Sequence, residues 1–266
     1  MSALIEMLTD YTHGDVTVPK LTKASQIDAG TKLSIDFLDP QTYAAGVVPA
    51  LIVQTQLFSD LIDAGGTFSL VAPNPGMAIN SAGLKFTGVG GQYVDLGEKG
   101  KFAAGATKFG FGGWVKMRDN AADANAYSAI GGYLTSTAPA NCQWTVQRAR
   151  GATGLTGIVS GAAYGIQLAV DEVAHVFFVA TVTAGSVVIQ GYKNGILLGA
   201  SGAYAMAGGV LPVPAVAARI GQSVGYSQSP NNELGSWDME DFSVAGAASV
   251  ADFLSKAYGD NVGRFA

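Results

Sequence analysis

The pattern of apolar and polar positions is sharpest in HVFFVATVTAGSVVIQGYKNG, residues 175–195. Residues 175–183 read as an apolar strand, Ala184-Gly185 as a turn, and residues 187–193 as a second strand closed by Asn194-Gly195. Asn-Gly after alternating apolar residues is a strong hairpin signal, because a type I′ turn needs positive φ at both central positions. The same period of two recurs along the chain. In 32–37, Leu33, Ile35 and Phe37 share one face, and Asp39-Pro40 stops the strand. Further strands are predicted at 50–58, 66–71, 82–87, 92–96, 108–117, 128–134, 143–147, 156–160, 164–169, 217–221 and 237–244. Only 249–258 has helical spacing, with Val250, Phe253, Leu254 and Ala257 on one face. Many short strands separated by turn residues predict an all-β fold, a two-sheet antiparallel jelly-roll sandwich with one short C-terminal helix.

Residues 1–30 break this pattern. They are turn-rich, with Val16, Val18 and Leu21 as isolated apolar pegs, and Pro19 forbids a central strand there. The expected organisation is an N-terminal arm or extension at 1–30, able to dock on a neighbouring subunit, followed by one domain at 31–266. No repeat or linker divides the rest.

Composition narrows the function classes. Charged residues make up 13% of the 266 positions, about half the usual share, while hydrophobic residues make up 48%. So few charges fit two readings equally, a Gly/Ala-rich β domain with a polar Ser/Thr/Asn/Gln surface or a surface much of which faces other subunits. The net charge of −5 and the lack of a basic stripe argue against nucleic acid; Arg148 and Arg150 are the nearest approach to a cluster and read as solvated surface. One cysteine, Cys142, makes no internal disulfide, and no histidine or motif near it suggests a catalytic thiol. Glu6 and Asp10 interrupt the N-terminal apolar stretch, so no signal peptide is expected. No apolar run reaches the roughly 18 residues of a membrane span.

Several segments, in order, carry a family resemblance. They are Gly83-Leu84-Lys85-Phe86-Thr87-Gly88, Tyr93-Val94-Asp95-Leu96, and FGFGGWVK at 109–116. His175 in its strand, Tyr192-Lys193-Asn194-Gly195, Arg219-Ile220-Gly221, DMEDFSV at 238–244 and the helix at 248–258 follow. Together they resemble a laminin-G-like domain of the concanavalin A-like lectin/glucanase superfamily over roughly 31–260. The resemblance implies the two-sheet jelly roll, with Phe86, Phe111, Val115, Phe177, Val179, Val188 and Phe242 packed between the sheets. It leaves function open, because this fold hosts lectins, hydrolases and structural modules alike.

Three chemistries have candidate residues in this chain. A glucanase needs paired carboxylates; Asp238 and Glu240 share a strand face beside Trp237 but lack the family's longer acidic pattern, so no catalytic residues and no enzyme are expected. No cofactor is expected either. Calcium is the one option considered, through Asp119 and Asp123 in the loop RDNAADANA. Glycan contact would use aromatic and amide side chains of loops, with Tyr133, Tyr226, Asn231, Asn232 and Trp237 as candidates. Trp144 alternates with Val146 and reads as core. The favoured expectation is a non-enzymatic virion structural protein of a tailed bacteriophage: a capsid decoration, tail or tail-fibre component, homo-oligomeric and made in the host cytoplasm. Its partners would be copies of itself and other virion proteins, without nucleic acid or membrane. The alternative is a carbohydrate-binding module recognising a host cell-surface glycan.

Overall fold

The structure is a computed structural model that describes residues 27–39, 42, 57–59, 61–62, 67–71, 77–121 and 125–265. In chain order the strands begin with β1 (Thr31–Asp36), β2 (Leu57–Ser59), β3 (Thr67–Val71), β4 (Ala78–Asn80), β5 (Gly83–Thr87) and β6 (Tyr93–Gly97). Then come β7 (Lys108–Met117), β8 (Tyr127–Leu134), β9 (Cys142–Ala149), β10 (Gly154–Val159), β11 (Ala162–Gln167) and β12 (Val173–Thr183). The last are β13 (Ser186–Lys193), β14 (Ile196–Ala200), β15 (Tyr204–Ala205), β16 (Ala218–Gly221), β17 (Asn231–Leu234) and β18 (Ser236–Asp241). Helices α1 (Val250–Gly259) and α2 (Val262–Phe265) close the described chain.

These strands form two antiparallel sheets. One has the order β14-β13-β12-β7-β17-β5-β4, with β18 also on β7, β1 on β18 and β15 on β13. The other has the order β11-β10-β9-β8-β16-β6-β3-β2. The sandwich and its C-terminal helix match the sequence expectation. Both turns of the opening hairpin do too: Ala184 and Gly185 (φ 49° and 77°) join β12 to β13, and Asn194 and Gly195 (φ 54° and 76°) join β13 to β14. Strand β14 itself was not expected from the sequence.

The core between the sheets holds Phe86, Phe111, Val115, Phe178, Trp144 and Trp237 among others. The Trp144 ring lies 5.1 Å from Phe111 and 6.1 Å from Trp237. Four of the side chains assigned to this core lie elsewhere. Phe177, Val179 and Phe242 sit on the outer face of the ten-stranded sheet, beneath Phe253, Leu254 and Ala257 of α1, and Val188 is only half-buried. The reason is that β12 is buried on both sides: Val176, Phe178 and Ala180 face the other sheet, while Phe177 and Val179 face the helix. A strand covered on both faces reads as one apolar run, from which inward and outward positions cannot be told apart.

Helix α1 is started by Ser249, whose Oγ accepts from the Asp252 backbone N–H at 3.1 Å. Phe253, Leu254 and Ala257 form its buried face, as the spacing predicts. Room for this second layer comes from Gly110 and Gly112 on β7, where added Cβ atoms would meet the Phe177 ring. Residues 28–30 belong to the sandwich: Asp28 Oδ2 accepts from the Ala248 N–H, and Asp241 N–H donates to the Gly30 carbonyl. The rest of the expected arm, including Val16, Val18 and Leu21, lies outside the described residues.

Candidate functional site

A cavity of about 510 Å3 opens on the eight-stranded sheet. It is lined by Asn125, Tyr127, Thr137, Gln147, Gly225, Tyr226 and Ser227. Strand β8 supplies Tyr127 at its exposed start, and its partner β9 supplies Gln147. On β9, Trp144 and Val146 turn into the core, so Gln147 falls on the opposite, outward face. The loop between β16 and β17 supplies the other wall.

That loop is held in place by its own polar side chains. The Gln222 amide donates to the Tyr226 carbonyl at 2.6 Å, and its oxygen accepts from the Gly91 N–H. Ser229 Oγ donates to the Val89 carbonyl at 3.0 Å, and Asn125 Nδ2 donates to Gln228 Oε1 at 2.8 Å. Tyr226 packs against the small cluster of Leu134, Cys142 and Ile158, and its hydroxyl donates to Gln147 Oε1 at 2.8 Å. Burial pushes the Tyr226 phenol well above its ordinary value, so it stays a neutral donor. Tyr127 is 53% exposed and free to stack on a ligand. Two aromatic rings beside amide and hydroxyl groups, with no carboxylate, ammonium or guanidinium among the described lining residues, can hold an uncharged polyhydroxylated ligand.

Of the expected glycan contacts, only Tyr226 lies in this cavity. Tyr133 is fully buried, its hydroxyl donating to the Pro214 carbonyl at 2.5 Å. Trp237 is 1% exposed and pairs with Ile35 across β18 and β1. Asn232 is fully buried. Asn231 is half-buried and donates through Nδ2 to the Asp119 carbonyl at 2.7 Å. These four lie on strands paired inside their sheets rather than in loops: Tyr133 on β8, Asn231 and Asn232 on β17, and Trp237 on β18. Tyr127, Asn125 and Gln147 were not foreseen; the exposed aromatic at a strand start was the available signal.

Of the metal candidates, Asp119 is exposed, and its Oδ1 accepts from the Ala121 N–H. Asp123 lies outside the described residues. Among the described residues no three His, Cys, Asp or Glu side chains gather as metal ligands. The Asp238 and Glu240 pair does share a face of β18, but that face is covered. Asp238 is 2% exposed and accepts from Ser34 Oγ at 2.7 Å, and Glu240 is fully buried, its carboxyl pushed up to about 8 mainly by desolvation. Arg148, expected at the surface, is 1% exposed and donates to the Ala152 and Asn231 carbonyls.

No protein-family model matches the chain, and no curated protein matches its sequence. Solved structures do. A Trypanosoma rangeli sialidase in complex with a difluoro-KDN matches with TM-score 0.54 and 13% identity, covering 90% of this chain and 36% of the sialidase. The botulinum neurotoxin serotype D binding domain matches with TM-score 0.53 and 11% identity, covering 86% of this chain and 51% of that domain. Domain 4 of AbnA, a GH43 extracellular arabinanase from Geobacillus stearothermophilus, in complex with arabinotriose, matches with TM-score 0.51 and 15% identity. That match covers 87% of this chain and all of that domain. The chain thus spans about a third to a half of the sialidase and toxin chains. At these identities the likeness shows the fold alone, an antiparallel jelly-roll β-sandwich. No helix among the described residues is long and apolar enough to cross a membrane.

Proposed function

We propose that this domain is a non-catalytic glycan-binding module of laminin-G-like type, taking a neutral sugar in the cavity between Tyr127 and Tyr226. The observation that carries the reading is the lining: two tyrosines, one free to stack, with amide and hydroxyl groups and no charged side chain among the described residues. A sialic or uronic acid would bring a carboxylate with no cation in the lining to meet it, so neutral oligosaccharides fit better. The solved arabinanase domain with arabinotriose and the sialidases share the fold and support a sugar-related role.

The test is a glycan array followed by titration calorimetry with the strongest neutral hit. Tyr127→Ala removes an exposed ring and is expected to weaken binding about tenfold or more without lowering stability. An array with no neutral hit, or an affinity that Tyr127→Ala leaves unchanged, would remove the support for this site.

A second reading rests on a different observation, the low charge content. It proposes that the module is displayed on a tailed-phage particle as a capsid, tail or fibre component. Cryo-electron microscopy of such a particle carrying this chain tests it, since density for the sandwich must appear at a defined symmetric position.

A further inference from the structure

Among the described residues, no strand lies beyond one end of the ten-stranded sheet. Strand β14 is its terminal strand, and the two-residue β15 continues the same side of β13. Together they run along the eight residues of β13, roughly 26 Å at the usual rise per residue. Edge strands present unpaired N–H and C=O groups, and monomeric proteins blunt them with short strands, bulges, lysines, prolines or inward charges. This edge has short strands and one bulge, but no lysine, proline or inward charge along β14 and β15. From Asn194 to Ala218 there is no charged side chain, and no proline before Pro212.

The exposed groups are apolar instead. Ile196 is 67% exposed, Leu197 49%, Leu198 48% and Tyr204 41%. A bulge between Gly191 and Tyr192 in the pairing sets Leu197 and Leu198 together against Tyr192. Val210 and Val213, just beyond β15, are also exposed. Most of the large apolar side chains exposed among the described residues therefore lie in this one uncharged tract.

We infer that the β14–β15 edge is an interface with a second copy of this chain, formed edge to edge about a two-fold axis. Three properties select that occupant. An antiparallel edge pair is self-complementary, so each copy supplies what the other lacks. The tract offers no charge, so a charged partner gains nothing from it, whereas a like tract matches it in polarity and strand sense. The low overall charge removes the repulsion that would keep two copies apart. Joining two edges also covers the leucines and pairs the backbone groups that β14 leaves open. The interface belongs to the ten-stranded sheet and the cavity to the eight-stranded one, so the proposal stands apart from the glycan reading.

Sedimentation velocity of the full chain, from low micromolar to about 200 μM, tests it in the concentration range of modest interfaces. The expected result is a concentration-dependent dimer that Leu197→Lys and Leu198→Lys each weaken about a hundred-fold or more, because the charge enters twice. Val244→Lys, on an exposed residue after β18, is the control and is expected to leave the dimer intact. Single cysteines placed in turn at Ile196, Leu197, Leu198 and Ala200 supply an independent readout: in a two-fold antiparallel pair the position nearest the axis lies within disulfide reach of its own copy, so oxidation is expected to give a disulfide-linked dimer at one of them, Cys142 being buried. A wild-type chain that stays monomeric throughout overturns the inference. So does a dimer indifferent to both lysines. If the lysine variants fail to fold, the cysteine series decides, and the absence of a cross-link at every position rejects the edge.

Discussion

Glu240→Gln is expected to stabilise the protein, and by an amount that grows with pH. Glu240 lies on the outer face of β18, fully buried. Desolvation comes first in raising its carboxyl from 4.5 to about 8; the carboxylates of Asp28 and Asp238 add to this, and the Thr31 hydroxyl opposes it. An acid whose folded value is raised holds its proton more tightly when folded. Its contribution is intact below the unfolded value of 4.5 and is lost as pH climbs to 8. Each pH unit in that window costs about 1.4 kcal/mol, which makes the penalty about 3 kcal/mol at pH 7. Glutamine keeps the shape and cannot ionise. Urea unfolding of both proteins at pH 5, 7 and 8.5 measures the gap between them. The gap is expected to be under 1 kcal/mol at pH 5 and about 3 kcal/mol at pH 7. His175, fully buried with its imidazole pushed down to about 4 by desolvation, acts in the other direction, losing stability as pH falls from 6.5 to 4. It titrates in both proteins and cancels in the difference. A gap that stays constant across these pH values would refute the assignment of a buried, protonated Glu240.

Two further outcomes follow from the packing. Gly112→Ala is expected to destabilise by about 3 kcal/mol or more in urea unfolding, because a Cβ there would meet the Val176 carbonyl and lie 2.8 Å from Phe177 Cα at φ +154°; a variant as stable as the parent would mean that β7 and β12 are spaced differently. Cys142 is fully buried and its thiol is pushed up to about 12, so the native protein is expected to resist a thiol-titrating reagent at pH 8 and to react once unfolded in urea; rapid native labelling would contradict its burial.

The chain's own pattern determined a good deal. Alternation of Leu33, Ile35 and Phe37 and the Asn194-Gly195 turn specified strands and hairpin, because period two and positive φ are local properties. The spacing of Phe253, Leu254 and Ala257 specified the helix for the same reason. Tyr226 was legible as a loop aromatic, and it lines the cavity, because it lies among turn-forming residues. Tyr133 and Trp237 were not legible as core, since an aromatic beside polar neighbours looks alike in a loop and in a strand whose outer face is covered. The second layer under α1 was also hidden: β12 reads as one unbroken apolar run, and only its pairing with β7 divides Phe177 and Val179 from Val176 and Phe178. The cavity needed Tyr127, Gln147 and Tyr226 to converge from separate segments, and no local pattern encodes that meeting. The exposed edge at Ile196–Ala200 is the clearest case. In the sequence it is merely an apolar stretch; the tertiary structure decides that it ends a sheet, because whether a strand has neighbours on both sides is set by the order in which distant segments pair.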